Sequence, residues 1–121
     1  MITFVIPMHK WTDQIEICFN RLHQQLGANE IIVVADQCEL PDLPAKVVQT
    51  TKRSYAAGSR NLGAEHATHD VIVFVDSDIL VPNNFVKHCE EKYHKDQSSI
   101  FCFPMGTEVS DLYTAGFKGM L

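Results

Sequence analysis

Three stretches of this chain are apolar, broken only by Thr3, and rich in Val and Ile: residues 2–6, 31–35 and 71–75. A strand with one face in water alternates apolar and polar residues. Runs without alternation belong to strands buried on both faces, as in parallel sheets covered by helices. Two weaker runs, 46–48 and 100–103, complete a set of five. Between them lie helical patterns. Trp11, Ile15, Phe19, Leu22 and Leu26 recur at helical spacing and form one apolar face. Asp13 followed by Glu16 predicts a capping box, and Gly27 predicts the C′ residue. A second helix is predicted over about 55–67, weakened by Gly58 and Gly63. A third should run from Pro82 or Asn83 to about Tyr93, burying Phe85, Val86, Cys89 and Tyr93. Strands alternating with helices predict an α/β domain: a mostly parallel sheet with helices on both faces.

At 121 residues the chain fits one domain, 1–121, with 104–121 reading as an irregular tail rich in glycine. Ten Lys plus Arg against fifteen Asp plus Glu give a net charge of −5, which argues against nucleic acid or anionic lipid as a broad electrostatic partner. Cys18, Cys38, Cys89 and Cys102 are widely spaced, without a CxxC pair, and read as reduced thiols packed as small hydrophobes. The apolar N-terminus lacks a basic flank and ends at Pro7, His9 and Lys10, too early for a signal peptide. No run approaches the roughly 20 apolar residues of a transmembrane helix. The expectation is a cytoplasmic protein with no transmembrane segment, compatible with peripheral attachment to the inner face of a membrane.

In an open parallel sheet, ligands bind beyond the carboxyl ends of the strands. Pro7, Met8, His9 and Lys10 follow the first run, Asp36 follows the second, and Asp76-Ser77-Asp78 follows the fourth. Asp76 and Asp78 lie between an apolar strand and Ile79-Leu80-Val81. Like charges in such surroundings are costly, and a divalent cation offsets the cost; Mg²⁺ or Mn²⁺ suits carboxylate oxygens. The bland alternative makes Asp76 a turn residue. The segment 54–63, Ser-Tyr-Ala-Ala-Gly-Ser-Arg-Asn-Leu-Gly, offers two readings. Its helix start favours phosphate, with Arg60 as a fixed cation, or its glycines serve close packing on the sheet. His9, His23, His66, His69, His88 and His94 show no convincing zinc spacing, and no Gly-x-Ser-x-Gly elbow supports a serine hydrolase.

The ordered set Phe4-Val5-Ile6-Pro7, Glu30-Ile31-Ile32-Val33-Val34-Ala35-Asp36, Ser59-Arg60-Asn61-Leu62-Gly63 and Val73-Phe74-Val75-Asp76-Ser77-Asp78 resembles family 2 glycosyltransferases over about residues 1–103. The resemblance implies a Rossmann-like GT-A domain binding a nucleotide-diphosphate sugar, a UDP-sugar being favoured, with Mn²⁺ or Mg²⁺. It implies that Pro7 and Met8 line the nucleoside pocket, Asp36 reads the base, and Arg60 edges the nucleotide site. It places Asp76 near ribose and metal, and Asp78 on the metal that bridges the diphosphate. Inverting transfer to a saccharide or lipid-linked acceptor would follow, the acceptor half and its carboxylate base being expected beyond the present C-terminus. Two departures stand out: Ala35-Asp36-Gln37-Cys38 replaces the usual Asp-Asp-Gly-Ser, and His9-Lys10 replaces an aromatic and Asn. The competing expectations are a non-catalytic nucleotide-sugar module, alone or completed by a homo-oligomer or partner chain, and an Asp-x-Asp phosphatase. The phosphatase motif, however, belongs on a first strand.

Overall fold

The structure, a computed structural model, describes residues 1–95. Met1–Val86 forms one compact unit; the second, Lys87–Leu121, is described through Lys95. The expected fifth strand at 100–103 and the tail at 104–121 lie outside the described residues. Four strands, β1 (Ile2–Met8), β2 (Glu30–Ala35), β3 (Lys46–Gln49) and β4 (Val71–Phe74), pair in parallel in the order β3-β2-β1-β4. Helices α1 (Asp13–His23), α2 (Tyr55–His66) and α3 (Phe85–Lys95) alternate with them. The chain winds outward from β1 to β3, then returns to the other side of β1. That reversal places a topological switch point between β1 and β4.

Alternation along β1 assigns the layers. Val5 clusters with Ile32 and Val34, and Leu62 of α2 packs against that group. Phe4, one residue earlier, faces the other way and lies 6.1 Å from Phe85, the two rings tilted to each other. The expected helices on both faces are therefore present. Gly63 explains how α2 comes so close: a Cβ there would stand 2.3 Å from Val5 Cγ1 and 3.1 Å from Val34 Cγ2. Of the two readings of the glycines, close packing accounts for Gly63.

Several boundaries differ from expectation. The N-cap of α1 is Thr12, whose Oγ1 accepts from the Ile15 N–H at 3.1 Å, so Asp13 is the first helical residue and forms no capping box. The helix ends at His23, short of Leu26, because the Gln25 and Leu26 N–H groups turn back to Leu22 and His23. Gly27 still takes the left-handed conformation, φ 62°, but in the following turn. α3 starts at Phe85, whose N–H donates to Pro82 O, and not at Pro82 or Asn83. β1 and β2 are buried on both faces as expected. β4 is not: Val71, Ile72 and Val73 are half-buried and Phe74 is 46% exposed, since among the described residues β4 has a partner strand on one side only.

Two polar struts hold the frame. Glu30 Oε1 accepts from Thr3 Oγ1, Thr68 N–H and Thr68 Oγ1, tying β1 and β2 to the connection before β4. Gln25 donates to Pro82 O at 2.8 Å and accepts from Val86 N–H at 2.9 Å, while Arg21 donates to Val81 O. These bonds pin the stretch that follows the Asp76–Asp78 turn to α1 and to the turn just after it. Cys18, Cys38 and Cys89 are free thiols. Burial, with Glu90 beside it, pushes the Cys89 thiol up to about 12, leaving it inert at neutral pH. Among the described residues no helix is long and apolar enough to cross a membrane.

Candidate functional site

The strand ends inspected in the sequence lie along one edge of the sheet. The Asp36 N–H donates to Met8 O at 2.8 Å, and the Val75 N–H donates to Val5 O at 3.0 Å, so the exits of β2 and β4 flank that of β1. The switch point between β1 and β4 lies at this edge.

Asp36 is buried, at 3% exposure, and its carboxylate is fully engaged. Oδ1 accepts from Thr50 Oγ1 at 3.0 Å and from Ser54 N–H at 2.8 Å, and Oδ2 accepts from Tyr55 N–H at 2.8 Å. Arg53 Nη1 stands 3.6 Å from Oδ2 and donates to the Asp36 carbonyl. Asp36 therefore caps α2 from a distant strand; Ser54, the N-cap by position, makes no side-chain capping bond. Burial works against the charged carboxylate, but the Ser54 and Tyr55 N–H groups, the Thr50 hydroxyl and Arg53 outweigh it and hold its pKa below the ordinary value. Two amides expected to favour phosphate at this helix start are thus already occupied. Tyr55 takes the left-handed conformation, φ 59°, in delivering its N–H to Asp36, and its ring is 73% exposed.

A carboxylate whose pKa is lowered on folding contributes stability above its unfolded pKa, about 3.9, and loses it as pH falls through the lower folded value. The denaturation midpoint should therefore hold down to about pH 5 and decline below about pH 4. An Asp36→Asn variant, less stable throughout, should show a shallower decline; equal slopes in a urea titration at several pH values would contradict this account.

On the other side of β1, Arg60 of α2 reaches over the edge to Asp76, Nη2 to Oδ1 at 3.0 Å. Ile79 N–H donates to Asp76 O, closing the turn that carries Ser77 and Asp78. Asp78 is exposed and forms no ion pair among the described residues. Its charge is felt below: burial first, then Asp78, raises the Cys18 thiol pKa. A small pocket under the turn is lined by Ile6, Met8, Cys18, Phe19, Val75 and Ile79.

The structure thus brings Asp76, Asp78 and Arg60 together and sets Asp36 across β1 from them. Pro7 is half-buried at the edge, but the Met8 side chain is in the core at 2% exposure, so only its backbone can serve a ligand. His9 and Lys10 are exposed. Of the partners of Asp36, Ser54 and Tyr55 belong to the segment expected to favour phosphate, whereas Thr50 and Arg53 were not among the expected site residues. Applying the strand-end rule to β3 as well would have pointed to Thr50. Gln37, in place of the glycine of Asp-Asp-Gly-Ser, adopts φ 56° and donates to Thr50 O at 2.7 Å. A glycine conformation is kept there by a residue that bonds in exchange for strain.

Among the described residues no three His, Cys, Asp or Glu side chains form a group able to hold a metal. Two carboxylates on one turn do fit a hard cation that takes its remaining ligands from phosphate and water, the usual arrangement for Mg²⁺.

A parallel sheet with this switch point defines a doubly wound, Rossmann-like α/β domain. The chain matches the family model for glycosyl transferase family 2 over residues 3–115 and belongs to that family. Its fold is the Rossmann-like GT-A fold. The crystal structure of S. aureus TarS 1–349 is similar, with a TM-score of 0.69 and 22% identity over 81% of this chain. The match spans 33% of the TarS chain, and at that identity it bears on the fold alone. No curated protein matches the sequence. Membership of the family displaces the phosphatase alternative.

Proposed function

We propose that this domain binds a nucleotide-diphosphate sugar, a UDP-sugar in the first instance, for inverting transfer to a saccharide or lipid-linked hydroxyl. The observation that carries the reading is the Arg60–Asp76 pair, with Asp78 beside it, at the switch point between β1 and β4. Asp78 and Asp76 would hold Mn²⁺ or Mg²⁺ together with the diphosphate. When bound, the cation supplies charge stabilisation for the departing nucleoside diphosphate. Arg60 offers the phosphates a planar, permanently charged donor. Pro7 borders the nucleoside, and the Met8 backbone holds the β2 exit in register through Asp36 N–H. Asp36 shapes the base end of the pocket by fixing the segment Thr50–Tyr55, its oxygens being taken by the chain itself. The acceptor and the base that deprotonates it belong outside this donor site.

Asp78→Ala tests the metal assignment. Its side chain is exposed, so the thermal midpoint should stay within a degree or two of wild type. Mn²⁺-dependent UDP affinity, measured by calorimetry, should fall about tenfold or more, the loss of one charge-assisted metal ligand. Unchanged affinity in a folded variant would remove Asp78 from the site. Turnover of UDP-sugars separates a transferase from a binding module with the same donor site.

A further inference from the structure

We propose that Arg60 is a built-in counter-cation for the Asp76–Asp78 turn, displaced from Asp76 when a divalent cation binds and then engaged by the donor's diphosphate. The inference rests on the donor-site reading above and assigns Arg60 two successive partners.

Two carboxylates on one short turn repel each other, and Arg60 neutralises one of them at 3.0 Å. Both side chains are more than a third exposed, Arg60 at 38% and Asp76 at 39%. An ion pair in such contact with water is weak and exchanges easily. Its role is therefore occupancy more than stability. The guanidinium cannot drift far, because α2 is fixed at its start by Asp36 and pressed on the sheet at Gly63. Among the described residues Arg60 makes no hydrogen bond but the one to Asp76, so its other donors are free for a second anion.

Charge arithmetic gives the order of events. A divalent cation approaching Asp76 meets the Arg60 charge roughly 5–6 Å away, a repulsion of about a factor of ten in affinity at water-like dielectric. Cation alone should bind weakly. A diphosphate reverses the balance, since Arg60 then gains a better partner than a single carboxylate oxygen, often a two-point one. Cation and nucleotide must consequently favour each other's binding, and the coupling is reciprocal. Arg60 is the residue through which part of that coupling passes.

The test measures Mn²⁺ alone, by electron paramagnetic resonance of the free ion, and UDP at saturating Mn²⁺, by calorimetry. Wild type, Arg60→Gln and Arg60→Lys are compared, with circular dichroism as a check on folding. Arg60→Gln should bind Mn²⁺ alone about three- to tenfold more tightly, yet bind UDP with Mn²⁺ about tenfold more weakly. Arg60→Lys, which keeps the charge, should stay near wild type for Mn²⁺ alone. A merely structural arginine would weaken both bindings together, and that result overturns the proposal. So does tighter Mn²⁺ binding with UDP affinity unchanged, which denies the hand-over. If wild type binds neither Mn²⁺ nor UDP, the donor-site reading itself falls and the proposal with it.

Discussion

Asp36→Ala should destabilise this protein by about 3–5 kcal/mol, the range for removing one partner from a buried, hydrogen-bonded charge cluster. The substitution strands three donors at once: the Thr50 hydroxyl and the N–H groups of Ser54 and Tyr55. It also leaves Tyr55 in a left-handed conformation with nothing to hold it there, a strain of about 1–2 kcal/mol. Against a typical domain stability of about 5–15 kcal/mol this is a large fraction. The thermal midpoint should drop by roughly 15 °C or more. Because Asp36 caps α2, the first turn of that helix should lose amide-exchange protection before the rest of the sheet does. A fall of less than 1 kcal/mol in urea denaturation would show that the buried carboxylate is dispensable. Asp36→Asn keeps one acceptor oxygen for Ser54 or Thr50 but turns an amide toward Tyr55 N–H, and should fall between the two.

Gly63→Ala is expected to cost about 2 kcal/mol, although alanine is the better helix former. The propensity gain is about 1 kcal/mol. The added Cβ would stand 2.3 Å from Val5 Cγ1 and 3.3 Å from Cγ2, and Val5 is wholly buried on the central strand. A β-branched side chain in a packed core has no free rotamer to take, so α2 must lift from the sheet, at about 3 kcal/mol, the upper end for overpacking. The lift carries Arg60 with it. Arg60-dependent UDP affinity should therefore fall along with stability, unlike the effect of an ordinary core substitution remote from the edge. Val5→Ala in the Gly63→Ala background opens the needed space, and the pair should be less destabilised than the sum of its parts. Strict additivity in a double-mutant cycle would rule out the steric account.

The layered α/β architecture was legible in the sequence because its signals are local. Continuous Val and Ile runs mark β1 and β2, helical spacing marks α1, and each segment carries its own period. The gathering of the acids at one edge was legible too, since a parallel sheet sends every strand exit to the same edge and Asp36, Asp76 and Asp78 stand at exits. Helix ends were read less well. The α1 cap lies one residue before the expected one because Thr12 and Asp13 are both good caps, and only the backbone decides between them.

What each carboxylate does was not legible, and the reason is physical. Asp36 and Asp76 look alike in sequence, each an acid closing an apolar run. One ends buried under the start of α2, spent on Thr50, Ser54 and Tyr55; the other ends half exposed, facing Arg60. Their partners lie far away along the chain, and no local period encodes which distant donors a carboxylate will meet. The same holds for β4, whose apolar composition matches a buried strand while its edge position leaves Phe74 open. By itself the sequence determined the four described strands, the helices, the family and the edge on which the candidate site lies. Only the tertiary structure divided the acids between holding the fold and standing exposed at the sheet edge, because burial and partners are set by packing between segments and not within them.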